Sequence, residues 1–308
     1  MRDIIKRITR KLFASASTEV LQDLRSTIHN DLMYETRRDN LMKTILHDET
    51  PGIVTKRYTD HSIIVSLTSY GRRVYEVALA IESIMQQTMK ANRIVLWLAE
   101  DMKEHQLPQS LVLQQERGLE IQYCRDIRSY TKLIPQLKET PNDAIITVDD
   151  DILYDYDVLE HLIIAHLQQP DMIHCCRVRE MLFDDKDFLL PYNQWSIEGL
   201  SVGNNSHYFL TGCGGALYPP YCFDDEVFNE GVFMDICPDA DDVWFTAMAL
   251  KRGTLINKVF TRNRFGEDFI RIPSPLEQGL AAKNMGMSGN DRQIRGIFSK
   301  YALFDRIQ

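Results

Sequence analysis

The sequence predicts an α/β fold: a mostly parallel sheet flanked by helices, with an N-terminal helical extension. Three observations carry that reading. From His61 onward, apolar runs of strand length alternate with segments of helical period, the pattern of right-handed βαβ units. One run, Ala144–Val148, leads straight into the carboxylates Asp149-Asp150-Asp151. An apolar run of that kind is a strand buried on both faces, and in open α/β sheets ligands bind at the C-terminal strand edge. The residues before Asp48, in contrast, carry only helical periodicity.

Taken in order, Met1–Phe13 is a short basic amphipathic helix. Ile4, Ile5, Ile8 and Leu12 form its apolar stripe, and Arg2, Lys6, Arg7, Arg10 and Lys11 fill the rest. Such a helix is a candidate for peripheral contact with an anionic membrane surface, or for docking on protein. A second helical region spans Thr18–His47 and is a candidate packing arm or homodimer contact; its heptad is too irregular for a coiled coil. Asp48-Glu-Thr-Pro-Gly52 breaks the pattern. The division is therefore an extension over 1–55 and a main domain over 56–308.

His61–Leu67 is the first buried strand, ending in the polar turn Thr68–Arg73. A helix follows over Val74–Gln87, then a strand at Arg93–Leu98. Gln106–Arg117 is a helix with Pro108 in its first turn, where proline is tolerated. Leu119–Tyr123 is the third strand. Ser129–Lys138 is helical, with Pro135 early in it or kinking it. After the carboxylate triplet come a helix over Tyr156–Gln168 and a short strand at Met172–Cys176. Arg177–Tyr208 is irregular, rich in Asp, Asn and aromatics, and long loops of that kind are usually functional or mobile. The glycine-rich strand Phe209–Pro220 precedes Asp241-Asp242, which start a helix. Leu255–Phe260 is a strand, and Asn284–Arg295 is a basic, glycine-bearing loop.

Composition narrows the function. A net charge of −9 excludes a general nucleic-acid binder. The six cysteines form no CxxC pair, so zinc-site spacing is absent and a reducing compartment fits best. No apolar run is long enough to span a bilayer, and the N-terminus has no secretory h-region. The expected location is cytoplasmic, with peripheral attachment to the inner face of the membrane through residues 1–13.

Two acidic centres carry the chemistry. Adjacent like charges at a sheet end cost stability, and a hard divalent cation, Mg²⁺ or Mn²⁺, offsets that cost. Because Mg²⁺ takes few protein carboxylates and completes its shell with phosphate, the triplet suggests a metal–diphosphate site. The bland alternative is a solvated acidic turn. Asp241-Asp242 is the second centre, and for one of these acids helix capping is an alternative. A metal-bound diphosphate with a separate carboxylate suits group transfer from an activated donor: the metal neutralises the leaving diphosphate, and the carboxylate accepts the proton of the attacking hydroxyl. Arg72, Lys132 and Arg292 are candidate phosphate contacts. Gly214 and Gly215 would let backbone approach a ligand, and Tyr192, Trp195 and His207 would form an acceptor-side wall, although aromatics there could equally be core.

These motifs, in this order, resemble a nucleotide-sugar glycosyltransferase of the GT-A (Rossmann-like) fold, most like the bacterial family 2 enzymes. The resemblance rests on Ile63–Arg73, the Asp149-Asp150-Asp151 triplet, Gly212–Ala216 and Asp241-Asp242-Val-Trp-Phe, and it covers Ser62–Phe298. It implies a DxD motif in which Asp149 contacts the nucleoside, Asp150 supports the site and Asp151 binds Mn²⁺ or Mg²⁺. It implies Asp242 as catalytic base beside Asp241, with Thr68, Ser69, Arg72 and Asp126 lining the nucleotide pocket and Lys132 and Arg292 reaching phosphates. The implied reaction is inverting transfer from a nucleotide-sugar donor, a UDP-sugar, to a hydroxyl of a glycan or lipid-linked acceptor in polysaccharide biosynthesis. Asp241 stands where that family commonly has Glu, and the motifs also resemble the retaining exostosin-type transferases. The competing classes are a nucleotidyltransferase or phosphohydrolase, which would want more than the single glycine of Thr68–Arg73, and a non-catalytic sugar- or protein-binding module.

Overall fold

The computed structural model describes residues 31–197, 200–263, 266–273 and 289–307. The amphipathic segment Met1–Phe13 lies outside them, as does the first part of the second predicted helix. Residues 31–47 are helical (α1). Leu41 and Ile45 on this helix are buried in the same core cluster as the first strand.

Eight strands form the central sheet. In chain order they are β1 (Ile63–Thr68), β2 (Arg93–Ala99), β3 (Leu119–Cys124), β4 (Ala144–Thr147), β6 (Ile173–Cys175), β8 (Gly203–Asn204), β10 (Ala216–Tyr218) and β11 (Ile256–Lys258), arranged β3-β2-β1-β4-β10-β6-β11-β8. The pairs β1/β2, β2/β3, β1/β4 and β6/β11 are parallel, while β10 runs antiparallel to both neighbours and β8 antiparallel to β11. Two antiparallel ribbons flank the sheet: β5 (Ile152–Tyr154) with β12 (Phe269–Arg271), and β7 (Val178–Glu180) with β9 (Tyr208–Leu210).

Alternation along each strand sorts side chains to two faces. Ile63, Val65 and Leu67 join one core cluster with α2 (Val77–Met85), α3 (Gln109–Glu116) and α5 (Val158–Gln168). Ile145, Ala216 and Tyr218 join another with α4 (Ile134–Glu139), α6 (Glu230–Ile236), α7 (Asp241–Arg252) and α8 (Gly289–Lys300). Both faces are therefore covered, as parallel strands require. The chain leaves β1 towards β2 on one side, whereas β4 lies on the other. The gap between the C-terminal ends of β1 and β4 is thus the switch point where ligands bind in such sheets.

Several predicted boundaries move. The segments expected as single helices at Val74–Gln87 and Ser129–Lys138 each start as a 3-10 turn, Gly71–Tyr75 and Arg128–Lys132, before α2 and α4. Pro135 sits in the first turn of α4, where its missing N–H costs nothing. The irregular span after Arg177 holds β7 and β8, and the glycine-rich strand is two strands, β9 and β10, broken at the glycines. The part of the predicted 284–295 loop that is described, from Gly289 on, is helix α8; the remainder lies outside the described residues. No described helix is long and apolar enough to cross a membrane.

A buried ion pair ties the first half of the sheet to its helices. Glu82 on α2 is fully buried and meets Arg117 at 2.8 Å. Gln114 donates to the same carboxylate oxygen at 3.1 Å, and Arg117 Nε donates to Thr50 O at 2.8 Å. Removing Glu82 leaves the buried Arg117 with only Asp48, at 3.7 Å, as a counter-charge among the described residues. Glu82→Ala is expected to cost about 3–5 kcal/mol, read as a fall in the urea midpoint at unchanged m-value.

Candidate active site

Parallel pairing of β1 with β4, Ser66 opposite Thr147, carries both strand ends to one edge. Ser69 Oγ donates to Asp150 Oδ2 at 2.6 Å, and Arg73 Nη1 donates to Asp150 Oδ1 at 3.0 Å. Asp150 is therefore held on both oxygens and is 7% exposed. Burial pushes its carboxyl up to about 6 despite the opposing pull of Ser69 and Arg73. Arg73 also lies 3.4 Å from Asp151 Oδ2, whose side chain remains 39% exposed. Arg72, the predicted contact, is exposed. The choice between adjacent arginines depends on the phase of the 3-10 turn, which opens with Gly71 at φ +56°.

Asp149 faces the other way. Its Oδ1 accepts from Lys132 Nζ at 3.1 Å, and its backbone N–H donates to the Tyr154 hydroxyl at 2.8 Å. Lys132 is anchored through its carbonyl, which accepts from Ser66 Oγ at 2.6 Å. The same ammonium lies 3.5 Å from Asp241 Oδ2. Burial alone would lower Lys132, but Asp149, Asp241 and Asp242 outweigh it and hold its pKa well above the ordinary lysine value. Asp242 Oδ1 accepts from Gly212 N at 2.8 Å. Desolvation first, and the charge of Asp241 second, push Asp242 up to about 7, against the pull of Lys132. Both acids occupy the first turn of α7, where the helix dipole favours negative charge, yet neither side chain caps it: Ala240 is the N-cap residue and makes no side-chain bond.

Position 212 is tight against the charged cluster. A β-carbon there would stand 3.1 Å from Lys132 Nζ and 3.2 Å from Asp242 Oδ1. The predicted Gly214 and Gly215 instead solve a packing problem. Both have left-handed φ, +87° and +109°. A β-carbon on Gly214 would meet Gly266 O at 2.9 Å, and one on Gly215 would meet Leu162 at 3.3 Å. They face protein on the side where a side chain would be.

The remaining predicted residues are more scattered. Thr68 Oγ1 donates to Trp97 O at 2.9 Å, tying β1 to β2. Asp126 is exposed and accepts from Arg128 N at 2.7 Å, shaping a turn that holds Arg128 at φ +61° and delivers it to Asp239 at 2.9 Å. Arg292 is exposed on α8 and not in a loop. No described contact joins Arg72, Asp126 or Arg292 to the acidic cluster. Trp195, expected on the acceptor wall, is 3% exposed; its indole N–H donates to Leu190 O at 2.8 Å, and it packs edge-on against Phe209. Its size and aromatic face serve the core. His207 packs beside Phe183.

A cleft of about 410 Å³ opens beside the acid pair. Asp239, Asp241 and Asp242 line it together with Arg177, Arg179 and Arg271, with Tyr192 among the remaining lining residues. Sequence reasoning missed these arginines and Arg73. A signal existed in Arg177-Val178-Arg179: alternation places the arginines on one face of a strand, but the segment carries too little apolar period to be read as one.

Among the described residues no group of three or more His, Cys, Asp and Glu side chains forms a cage for a metal ion. A cation that bridges phosphates needs only one or two protein carboxylates. Asp151 fits that requirement: unlike Asp150 its side chain is well exposed, and its nearest cationic contact is at 3.4 Å.

No protein-family model matches the chain, and no curated protein matches its sequence. Solved structures similar to it include a mannosyltransferase from Pyrobaculum calidifontis in complex with GDP-Man and Mn²⁺, at 12% identity and TM-score 0.48, covering 91% of this chain and 76% of that one. The inositol-1-phosphate CTP transferase from T. maritima gives 10% identity and TM-score 0.42, covering 81% and 97%. CMP:2-keto-3-deoxy-manno-octonic acid synthetase complexed with CTP gives 13% identity and TM-score 0.34, covering 64% and 88%. Overlap of this degree assigns no residue a role.

Lys132 compensates carboxylates from both halves of the cluster. Lys132→Met is expected to destabilise the fold by about 3–5 kcal/mol at pH 8. The loss should be smaller at pH 5, where Asp242, one of the carboxylates that Lys132 compensates and raised to about 7, already carries a proton. Urea denaturation at the two pH values checks both the size and the sign.

Proposed function

We propose that the chain is a GT-A-type glycosyltransferase that moves a sugar from a nucleotide-sugar donor, read as a UDP-sugar, to a hydroxyl of a glycan or lipid-linked acceptor with inversion. The observation that carries this reading is the joining of the two acidic centres. Lys132 lies within 3.5 Å of both Asp149, at a strand end, and Asp241, at a helix start. Residues far apart in sequence thus meet at the switch point, beside a cleft large enough for a sugar.

The donor diphosphate occupies the edge formed by Ser69, Arg73 and the triplet. Arg73 is the cation there and orients Asp150 and Asp151. Asp151 is the residue that would hold a divalent ion, and such an ion would supply positive charge against the leaving diphosphate. Asp149 and Lys132 mark the boundary between donor and acceptor. The acceptor hydroxyl sits at Asp242. As its oxygen bonds to the anomeric carbon, the bond from that carbon to the diphosphate oxygen breaks and its electrons leave with the diphosphate. The hydroxyl proton passes to the Asp242 carboxylate. A base works best with a pKa near the working pH, and a group held at about 7 meets that condition, where an exposed aspartate would be far too weak. Gly212 N keeps one carboxylate oxygen fixed.

Binding by calorimetry of UDP, GDP, CDP and their sugar conjugates, with and without Mn²⁺, tests the donor half. One nucleoside diphosphate is expected to bind only with metal, and Asp151→Asn to weaken that binding by about ten-fold or more. Failure of every nucleotide to bind, with and without metal, sinks the transferase and favours an interaction module. For the acceptor half, Asp242→Asn is expected to keep nucleotide binding and lower turnover by roughly 10²–10⁴. Only the ionised carboxylate accepts a proton, so wild-type kcat is expected to rise with pH through about 7, and the residual rate of the variant to lose that step.

A further inference from the structure

The cleft is lined by charges of both signs, and its arginines have few acidic partners among the described residues. Arg177 and Arg271 share one carboxylate, Glu267, at 3.5 and 3.0 Å. Arg179 makes no ion pair with any described carboxylate. It lies over the Tyr192 ring at 4.5 Å and donates to Trp195 O at 3.4 Å. Arg177 Nε is buried with no hydrogen-bond partner among the described residues. None of the acids lining the cleft forms an ion pair with Arg177 or Arg179: Asp239 pairs with Arg128, Asp241 with Lys132, and Asp242 accepts from the Gly212 N–H. In a protein of net charge −9, an arginine wall of this kind is a local exception. The fold also builds it with care. Gly266 has φ +73°, and a β-carbon there would stand 2.5 Å from Cys176 O and 3.0 Å from Arg177 Cα, so only glycine lets that loop close against Arg177.

Arg177 and Arg179 belong to a different part of the sheet edge from Arg73. Arg73 follows β1 and Arg177 follows β6, and the sheet order places β4 and β10 between those strands. Three interstrand steps amount to roughly 14 Å. Arg271 is the exception: it pairs in register with Ile152, next to the triplet. Arg177 and Arg179 line the same cleft as Asp242, the proposed base.

Resting on the glycosyltransferase reading, the geometry points to an anionic acceptor: the molecule that receives the sugar carries a phosphate or carboxylate, which Arg177 and Arg179 grip beside Asp242. Guanidinium forks match both anions bidentately. The phosphate could belong to a soluble sugar phosphate or to a lipid headgroup. A second cavity, of about 590 Å³, is lined by Phe183, Phe188, Leu190, Trp195 and Phe304 together with Asp187, Asp291 and Arg295.

The test uses the full chain saturated with its nucleoside diphosphate and Mn²⁺, titrated by calorimetry with methyl phosphate, methyl glucoside, glucuronate and dodecyl phosphate. Methyl phosphate or glucuronate is expected to bind at least about ten-fold more tightly than neutral methyl glucoside. Arg179→Gln is expected to abolish that preference while leaving nucleotide affinity within about two-fold, and Arg179→Lys to restore part of it. Tighter binding of dodecyl phosphate than methyl phosphate assigns the anion to a lipid; equal binding assigns it to a soluble acceptor; both support the inference. Equal affinity for charged and neutral probes overturns it. So does an Arg179→Gln variant that loses nucleotide affinity to the same degree, because the arginines would then serve the donor. In both cases the transferase itself stands, since nucleotide still binds the wild type. A wild type that binds no nucleotide removes the transferase reading and the inference with it.

Discussion

The site depends on one ammonium group among three carboxylates. Asp149 arrives on a strand, Asp241 and Asp242 on a helix that starts some ninety residues later, and Lys132 stands between them. Two unit charges 4 Å apart interact by about 4 kcal/mol at an effective dielectric near 20. That is a large fraction of the 5–15 kcal/mol, roughly, that holds a domain folded. Without a cation, the two acidic elements would repel each other where the sheet needs them adjacent. Everything near Lys132 keeps it there: Ser66 fixes its carbonyl, and Gly212 leaves room for its tip.

The sheet topology supplies the rest of the arrangement. Inserting antiparallel β10 between β4 and β6 feeds the Gly212–Gly215 turn in at the same edge as the triplet. The turn contributes a backbone N–H to Asp242 and packs its glycines against α5 and the loop before β12. Most of this polar apparatus is satisfied by other protein groups. What stays available is limited: one oxygen of the exposed Asp151, the raised carboxyl of Asp242 and the arginines of the cleft. Those are the groups that chemistry at the site can use.

The same balance accounts for the unequal roles of three consecutive aspartates. Asp150 is consumed internally by Ser69 and Arg73, so it stiffens the edge. Asp149 is consumed by Lys132 and joins the two halves. Only Asp151 presents an exposed carboxylate. Identical side chains take different work because neighbouring residues at a strand end point in different directions and meet different partners.

Sequence by itself determined the strand–helix order, the buried strand that ends in Asp149–Asp151, and the helix that begins at Asp241-Asp242. Each is a local property: period, burial of an apolar run, and charge at an element's end. The tertiary structure decided which residues touch. It put Arg73 against the triplet through the phase of one turn, and brought Gly212 close to Lys132 and Asp242. It sent Trp195 into the core, placed Arg292 on an exposed helix face, and recruited Arg177, Arg179 and Arg271, which no sequence motif marked. The physical reason is range. Hydrophobic period is written over a few residues, whereas a charge finds its partner across the fold, and both its partner and its pKa are set by burial that exists only once the sheet has closed.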